Sequence, residues 1–184
     1  VRSQPVEKIN RLLAQSTQNS DFTKLAELIG DNRVAMLTTF PVGPGFSGKA
    51  APHCRPMYTQ KVDPKTFDGT LWFMTNAASA NVSEIAENSA VMITYADQGK
   101  NHYVAVSGNA RAVRNPQKAR ELWNVHAKGW FPDGPADASL MLLEVRVESA
   151  EYWDGPSSAS YFLSLMKAVA TGTRVQAKTE HGEI

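Results

Sequence analysis

A chain of 184 residues is long enough for one sizeable hydrophobic core and short for two. Its 19 Lys and Arg nearly cancel 18 Asp and Glu, which leaves no broad basic field to attract nucleic acid or an anionic membrane. There is no apolar run of about 18 residues to span a membrane, the opening VRSQPVEKINR lacks the apolar core of a secretory signal, and the single Cys54 excludes an internal disulfide, so a cytoplasmic protein is expected.

Residues 5–14 place Val6, Ile9 and Leu13 on one face and predict a short amphipathic helix. A second helix is expected over 21–30, with Phe22, Leu25, Ala26 and Ile29 as its apolar face and Gly30 as its stop. RVAMLTTF, 33–40, is apolar on both faces and reads as a central strand. The following PVGPGFSGKAAP is a loop by composition. Its Gly43-Pro44-Gly45-Phe46-Ser47-Gly48 has the letters of a dinucleotide fingerprint, but Pro52 and an extended stretch follow where that motif must open a helix. Strands are predicted at 53–60, where Pro56 suits an edge or a bulge, and at 70–75, with a helix over 80–88. Two more strands follow at 90–97 and 102–113, the second bending at Gly108. Asn115-Pro116 opens a helix whose stripe is Ala119, Leu122, Trp123 and His126, and Trp130 falls in the loop KGWFPDGP. LMLLEVRVE, 140–148, alternates Met141, Leu143, Val145 and Val147 with Glu144, Arg146 and Glu148, the pattern of a half-buried antiparallel strand. A last helix over 159–170 carries Phe162, Leu165, Met166 and Val169, and the tail from Thr171 reads as polar and loose.

Short connections and the lack of a repeating βα alternation argue for a mostly antiparallel barrel with helices around it. His53, His102, His126 and His181 lie far apart and form no metal-ligand pair, so no metal site is expected. Nothing near Cys54 would activate a thiol, and it reads as a small buried residue. Arg111, Arg114, Lys118 and Arg120 read as a solvated basic face, and Trp72 and Trp123 as core.

The stretch LWFMTNAASANVSEI, 71–85, passes from buried strand to helix through residues of almost no bulk. Ser79, or Asn81 with Glu84, can cap the helix. The same free N–H groups and small side chains also suit a phosphate. The residues alone leave both readings open.

Phe73, Thr75, Asn76 and Ser79 in this stretch resemble the F-x-T-N-x-x-S-x-K turn that holds FMN phosphate in the pyridoxamine-phosphate oxidase-like split barrels. Arg55-Pro56-Met57 is similar to that superfamily's arginine strand, and Glu151-Tyr152-Trp153-Asp154-Gly155 to its E-F/Y-W-x-G segment. Tyr95-Ala96-Asp97, Lys100-Asn101, Tyr103-Val104 and Val106-Ser107-Gly108 look like the general-stress-protein branch. The resemblance implies a six-stranded antiparallel split β-barrel, mainly β with peripheral helices. It would occupy 21–156 as the flavin-binding domain, between an N-terminal helical extension (1–20) and a C-terminal helix with a polar tail (157–184). It further implies a homodimer with FMN at the interface. Arg55, Met57, Thr75, Asn76 and Ser79 of one chain would hold phosphate and ribityl groups, with Asn81 beside them, while Trp153, Tyr103 and Trp130 would come from the other chain.

The implied function is that of an FMN-binding stress-related protein, a flavin-dependent oxidoreductase on an unidentified small molecule. The alternatives are a non-catalytic flavin-binding protein and a cofactor-free dimeric scaffold. FAD, a deazaflavin and haem stand beside FMN as cofactors that such barrels host. No catalytic residue is implied, because a flavin ring carries the electrons itself. Two departures matter. The family commonly has a basic residue where this chain has Asn81, and the oxidases another where it has Ala80, so FMN would be held with fewer charged contacts. The oxidases' R-x-H pair is missing from DGPSSASYF after Trp153, so oxidation of pyridoxamine phosphate is not expected.

Overall fold

Apolar side chains at every second position give most of the strands one face to bury, and the sheet closes around those faces. The computed structural model describes residues 20–30, 32–42, 51–155, 164–168 and 180–184. In chain order these form helix α1 (20–29), strands β1 (Val34–Thr39), β2 (His53–Tyr58) and β3 (Thr70–Asn76), helix α2 (Ala80–Glu87), strands β4 (Ala90–Asp97) and β5 (His102–Val113), helices α3 (Pro116–Leu122) and α4 (Val125–Trp130), a 3-10 turn (Gly134–Ala136), strand β6 (Leu140–Asp154), helix α5 (164–168) and strand β7 (Glu180–Glu183).

All strand pairs are antiparallel, in the order β2-β1-β4-β5-β6-β3, with β7 added beside β6. The sheet curls until its two edges touch. Thr59, just past β2, bridges Phe73 of β3, and the Gln60 N–H donates to the Trp72 carbonyl at 2.8 Å. The six-stranded split barrel expected from the sequence is therefore the fold. Pro56 lies on an edge strand, where the missing N–H is tolerated. The bend at Gly108 is a register shift between Ser107 and Gly108, where a Cβ would lie 2.3 Å from the Arg146 carbonyl oxygen. Only glycine lets β5 and β6 approach so closely there.

The barrel interior is filled by Ala35, Leu37, Leu71, Phe73, Ile93, Val106, Leu143 and Val145. Leu25 and Ile29 of α1 and Ile85 of α2 pack against it. A smaller cluster of Ala119, Phe131, Leu140 and Leu142, backed by Trp72 and Met74, packs α3 and α4 onto the outer face of β3 and β6. No helix among the described residues is long and apolar enough to cross a membrane.

Several expectations are corrected by long-range contacts. Strand β6 runs 15 residues, and its first part is buried on both faces because α3 and α4 cover the outer one. Glu144, expected in water, is thus buried and paired with Arg111 at 2.7 Å. The helix expected to run on through His126 breaks at Trp123-Asn124. There the Asn124 side chain accepts from the N–H groups of His126 and Ala127 and starts α4. Trp130 accordingly ends a helix and does not sit in a loop. Within the tail, β7 pairs with β6, tied by Tyr152 to Glu180 at 3.0 Å. Cys54 is exposed, because it points outward from an edge strand. Strand β1 was expected to be buried on both faces, yet its outer residues Val34 and Met36 are exposed by 58% and 39%. The helix expected at 5–14, the glycine-rich loop at 43–50 and Phe162 and Val169 lie outside the described residues.

Candidate functional site

The bridge between Thr59 and Phe73 joins the barrel edges at one point, and beyond it the edges part. Pro56, Met57 and Tyr58 then line one wall, and Met74, Thr75 and Asn76 the other, of a cavity of about 570 Å³. Helix α4 roofs this gap with His126, Ala127 and Trp130. The roof is anchored by Asn124, whose Nδ2 donates to Gln60 Oε1 at 2.7 Å, and by a tilted contact of the His126 and Tyr58 rings at 4.8 Å. Trp130 is 82% exposed and lines the cavity from its rim.

Ser79 closes one end of the cavity at the start of α2. The turn before it is held by its own bonds: Asn76 Oδ1 accepts from the Ala78 N–H at 2.8 Å, the Asn76 carbonyl from the Ser79 N–H at 2.9 Å, and the Ser139 carbonyl from the Ala77 N–H at 2.7 Å. The Ser79 hydroxyl makes no capping bond, so its oxygen is available to a ligand. The N–H groups of Ala80 and Asn81 open the helix, where no helical carbonyl can accept from them.

Of the residues singled out from the sequence, the structure brings Met57, Thr75, Asn76, Ser79 and Trp130 together around this cavity. Trp130 was expected from a second chain, but here it reaches the cavity of its own chain because Asn124 starts a helix that carries it there. Asn81 does not face the cavity. It is 1% exposed and turned inward, exchanging bonds with Thr75 Oγ1 at 3.2 Å and lying 3.9 Å from Met57 Sδ.

Arg55 is also behind the turn. Its Nη2 donates to Glu84 Oε2 at 2.6 Å and to Thr39 Oγ1 at 3.2 Å. Thr39 donates to the same carboxylate at 2.5 Å, and His53 Nδ1 lies 2.7 Å from its other oxygen. Burial pushes the Glu84 carboxyl up, but the bonds from Thr39, His53 and Arg55 and the Arg55 charge outweigh it and hold the pKa at about 2. Glu84 is thus an anion at neutral pH, one helical turn beyond Asn81.

Tyr103 and Trp153 sit elsewhere. They pair across β5 and β6 on the outer face and line a second, shallower depression of about 360 Å³ with Met36 and Thr94. Val34 borders both depressions. One side of the Trp153 ring stacks on His181 of β7, centroids 5.1 Å apart.

Sequence reasoning missed His126, Asn124 and Glu84. His126 was read into a continuous helical stripe that ran past Asn124. Glu84 was read only as a capping partner, although its spacing from Asn81 puts both on one helix face.

Residues 20–176 match the family described as pyridoxamine 5'-phosphate oxidase like. Among solved structures, a protein of Jannaschia sp. CCS1 assigned to general stress protein 26 superposes with a TM-score of 0.68 over 90% of this chain and 98% of that one, at 21% identity. The general stress FMN/FAD binding protein of Xanthomonas citri superposes with a TM-score of 0.60 over 74% of this chain and 89% of that one, at 25% identity. Protein bli-3 of Neurospora crassa is 27% identical over 90 residues, 45% of this chain, and the match spans only 43% of that protein's length. With the match running from α1 through β6, the chain belongs to the pyridoxamine 5'-phosphate oxidase-like family.

Proposed function

We propose that the protein binds FMN in the cavity between β2, β3 and α4 and uses it as an oxidoreductase on a small molecule. The observation that carries this reading is the juxtaposition, in one gap of the barrel, of apolar walls and a turn of small residues with an available serine hydroxyl. A volume of about 570 Å³ suits a ligand of cofactor size, since small-molecule pockets span roughly 300–1,000 Å³. Pro56, Met57, Met74, Trp130 and Phe131 offer an aromatic ring system apolar contact. Ser79 and the first N–H groups of α2 would meet the ribityl phosphate. The likeness to a protein named for FMN/FAD binding supports the same assignment. When bound, the flavin supplies the electron chemistry, and the chain's residues bind and orient it.

A second copy of the chain would complete the site. The outer face carrying Met36, Met92, Tyr103 and Trp153 is partly exposed and apolar, and it adjoins the cavity at Val34. A two-fold pairing through it would bring Trp153 of one copy towards the cavity of the other. Met36→Asp is then expected to convert dimer to monomer in sedimentation, and an unchanged sedimentation coefficient would remove this face from the interface.

Trp130→Ala tests the cavity. Removing the ring is expected to weaken FMN binding about tenfold, followed by flavin fluorescence, while stability stays within about 0.5 kcal/mol because the ring is on the surface. Undiminished affinity would place the flavin elsewhere. A second reading is a protein that holds flavin without turnover. Anaerobic bleaching of bound flavin by NAD(P)H supports the oxidoreductase, and flavin that binds and stays oxidised supports the second reading.

A further inference from the structure

Among the described residues, the end of the cavity where a phosphate would sit carries no fixed cation. None of the described lining residues is Lys or Arg, and residues 75–85 contain neither. The guanidinium nearest the turn among the described residues, that of Arg55, is bound to Glu84 at 2.6 Å, with the pair largely out of solvent at 24% and 9% side-chain exposure. Glu84 in turn is fixed from four directions by Thr39, His53, Arg55 and its own helix. An anion arriving at Ser79 therefore meets N–H and O–H dipoles, and behind them an ion pair whose charges cancel.

Resting on the flavin reading above, we propose that this site recognises flavins by ring and ribityl chain with almost no selection for the terminal phosphate. It would take riboflavin nearly as well as FMN, and Glu84 is the specificity-determining residue. By holding Arg55, Glu84 withholds the cation that, among the described residues, lies nearest the turn and would otherwise favour the phosphorylated form. Ala80 and Asn81 add none in its place.

The test is a fluorescence titration of the full chain with FMN and with riboflavin, in the natural sequence, in Glu84→Gln and in Ala80→Lys. A hydrogen bond from a side-chain cation to phosphate is worth about tenfold or more in affinity, whereas Ser79 and the α2 N–H groups only replace hydrogen bonds that water already makes to the phosphate, so an FMN-to-riboflavin preference below about fivefold is expected for the natural sequence. Glu84→Gln keeps an acceptor for Arg55 and Thr39 but removes the negative charge. It is expected to raise the preference for FMN to about tenfold or more with riboflavin affinity unchanged. Should Glu84→Gln fail to fold, Ala80→Lys decides, because Ala80 is exposed at the helix start and a lysine there is expected to raise FMN affinity alone.

A strong preference for FMN in the natural sequence overturns the proposal while leaving the flavin reading intact. So does a folded Glu84→Gln that binds both flavins as before, or, where only Ala80→Lys folds, a lysine variant without FMN gain. Binding of neither flavin by the folded natural chain overturns the flavin reading and this proposal with it.

Discussion

Arg55→Ala is expected to lower the free energy of unfolding by about 3 kcal/mol at neutral pH, measured by urea denaturation. The mutation leaves Glu84 charged, 9% exposed and without its cation, and an uncompensated buried charge is among the few causes of losses this large. The pH dependence identifies the cause. Glu84 has its ordinary carboxyl pKa of 4.5 in the unfolded chain and about 2 in the folded one. A depressed folded pKa contributes stability that is fully present above 4.5 and is lost as pH falls through about 2, and a shift of this size corresponds to about 3 kcal/mol. Without Arg55 the bonds from Thr39 and His53 remain but the attracting charge is gone, so the shift shrinks. The difference between the natural chain and Arg55→Ala is therefore expected to be largest near neutrality and to narrow between pH 4.5 and 2. Other carboxylates titrate in the same window but cancel in the difference. Two stability curves that stay parallel across this range would show that Arg55 contributes packing and not charge.

Phe73→Ala is expected to cost still more, about 3–5 kcal/mol, because it removes an aromatic ring from a site with no exposure. Phe73 fills the interior opposite Leu143 and lies at the one bridge, with Thr59, that closes the barrel edges. The loss would thus combine an internal cavity with a weakened closure. Since the cavity proposed to hold the flavin opens just beyond this bridge, ligand affinity is expected to fall in Phe73→Ala even though the ring is not among the lining residues. A loss below about 1 kcal/mol would mean that the interior collapses around the gap and that the bridge is not what sets the edges apart.

What the sequence showed and hid divides by range. Strands β4 and β5 were legible to the residue, because their alternation is local and Gly108 marks its own irregularity. The turn at Thr75-Asn76-Ser79 was legible as a candidate site, since the loss of side-chain bulk between strand and helix is itself a local signal. The break at Asn124 left a signal too, an N-cap residue, but the apolar spacing across it from Trp123 to His126 imitated one helix. Pairing of β7 with β6 could not be read from a polar segment whose strand character comes from Tyr152 and Trp153. Above all, the partner of Arg55 lies 29 positions away on another element. An arginine on a strand near a turn suited to phosphate reads as a phosphate ligand, and its pairing with a carboxylate on the packed helix is not visible in the sequence. The same holds for Asn81, whose place in the motif suggested the ligand and whose side chain fills the space between Met57 and Thr75.

The gap between the parted barrel edges, under α4, is the proposed flavin site. A crystal structure of the protein grown with FMN tests it most directly. Flavin density between Met57 and Trp130, with its side chain directed at Ser79, is the predicted result. Flavin bound elsewhere, or a cavity left with solvent at saturating FMN, would contradict it.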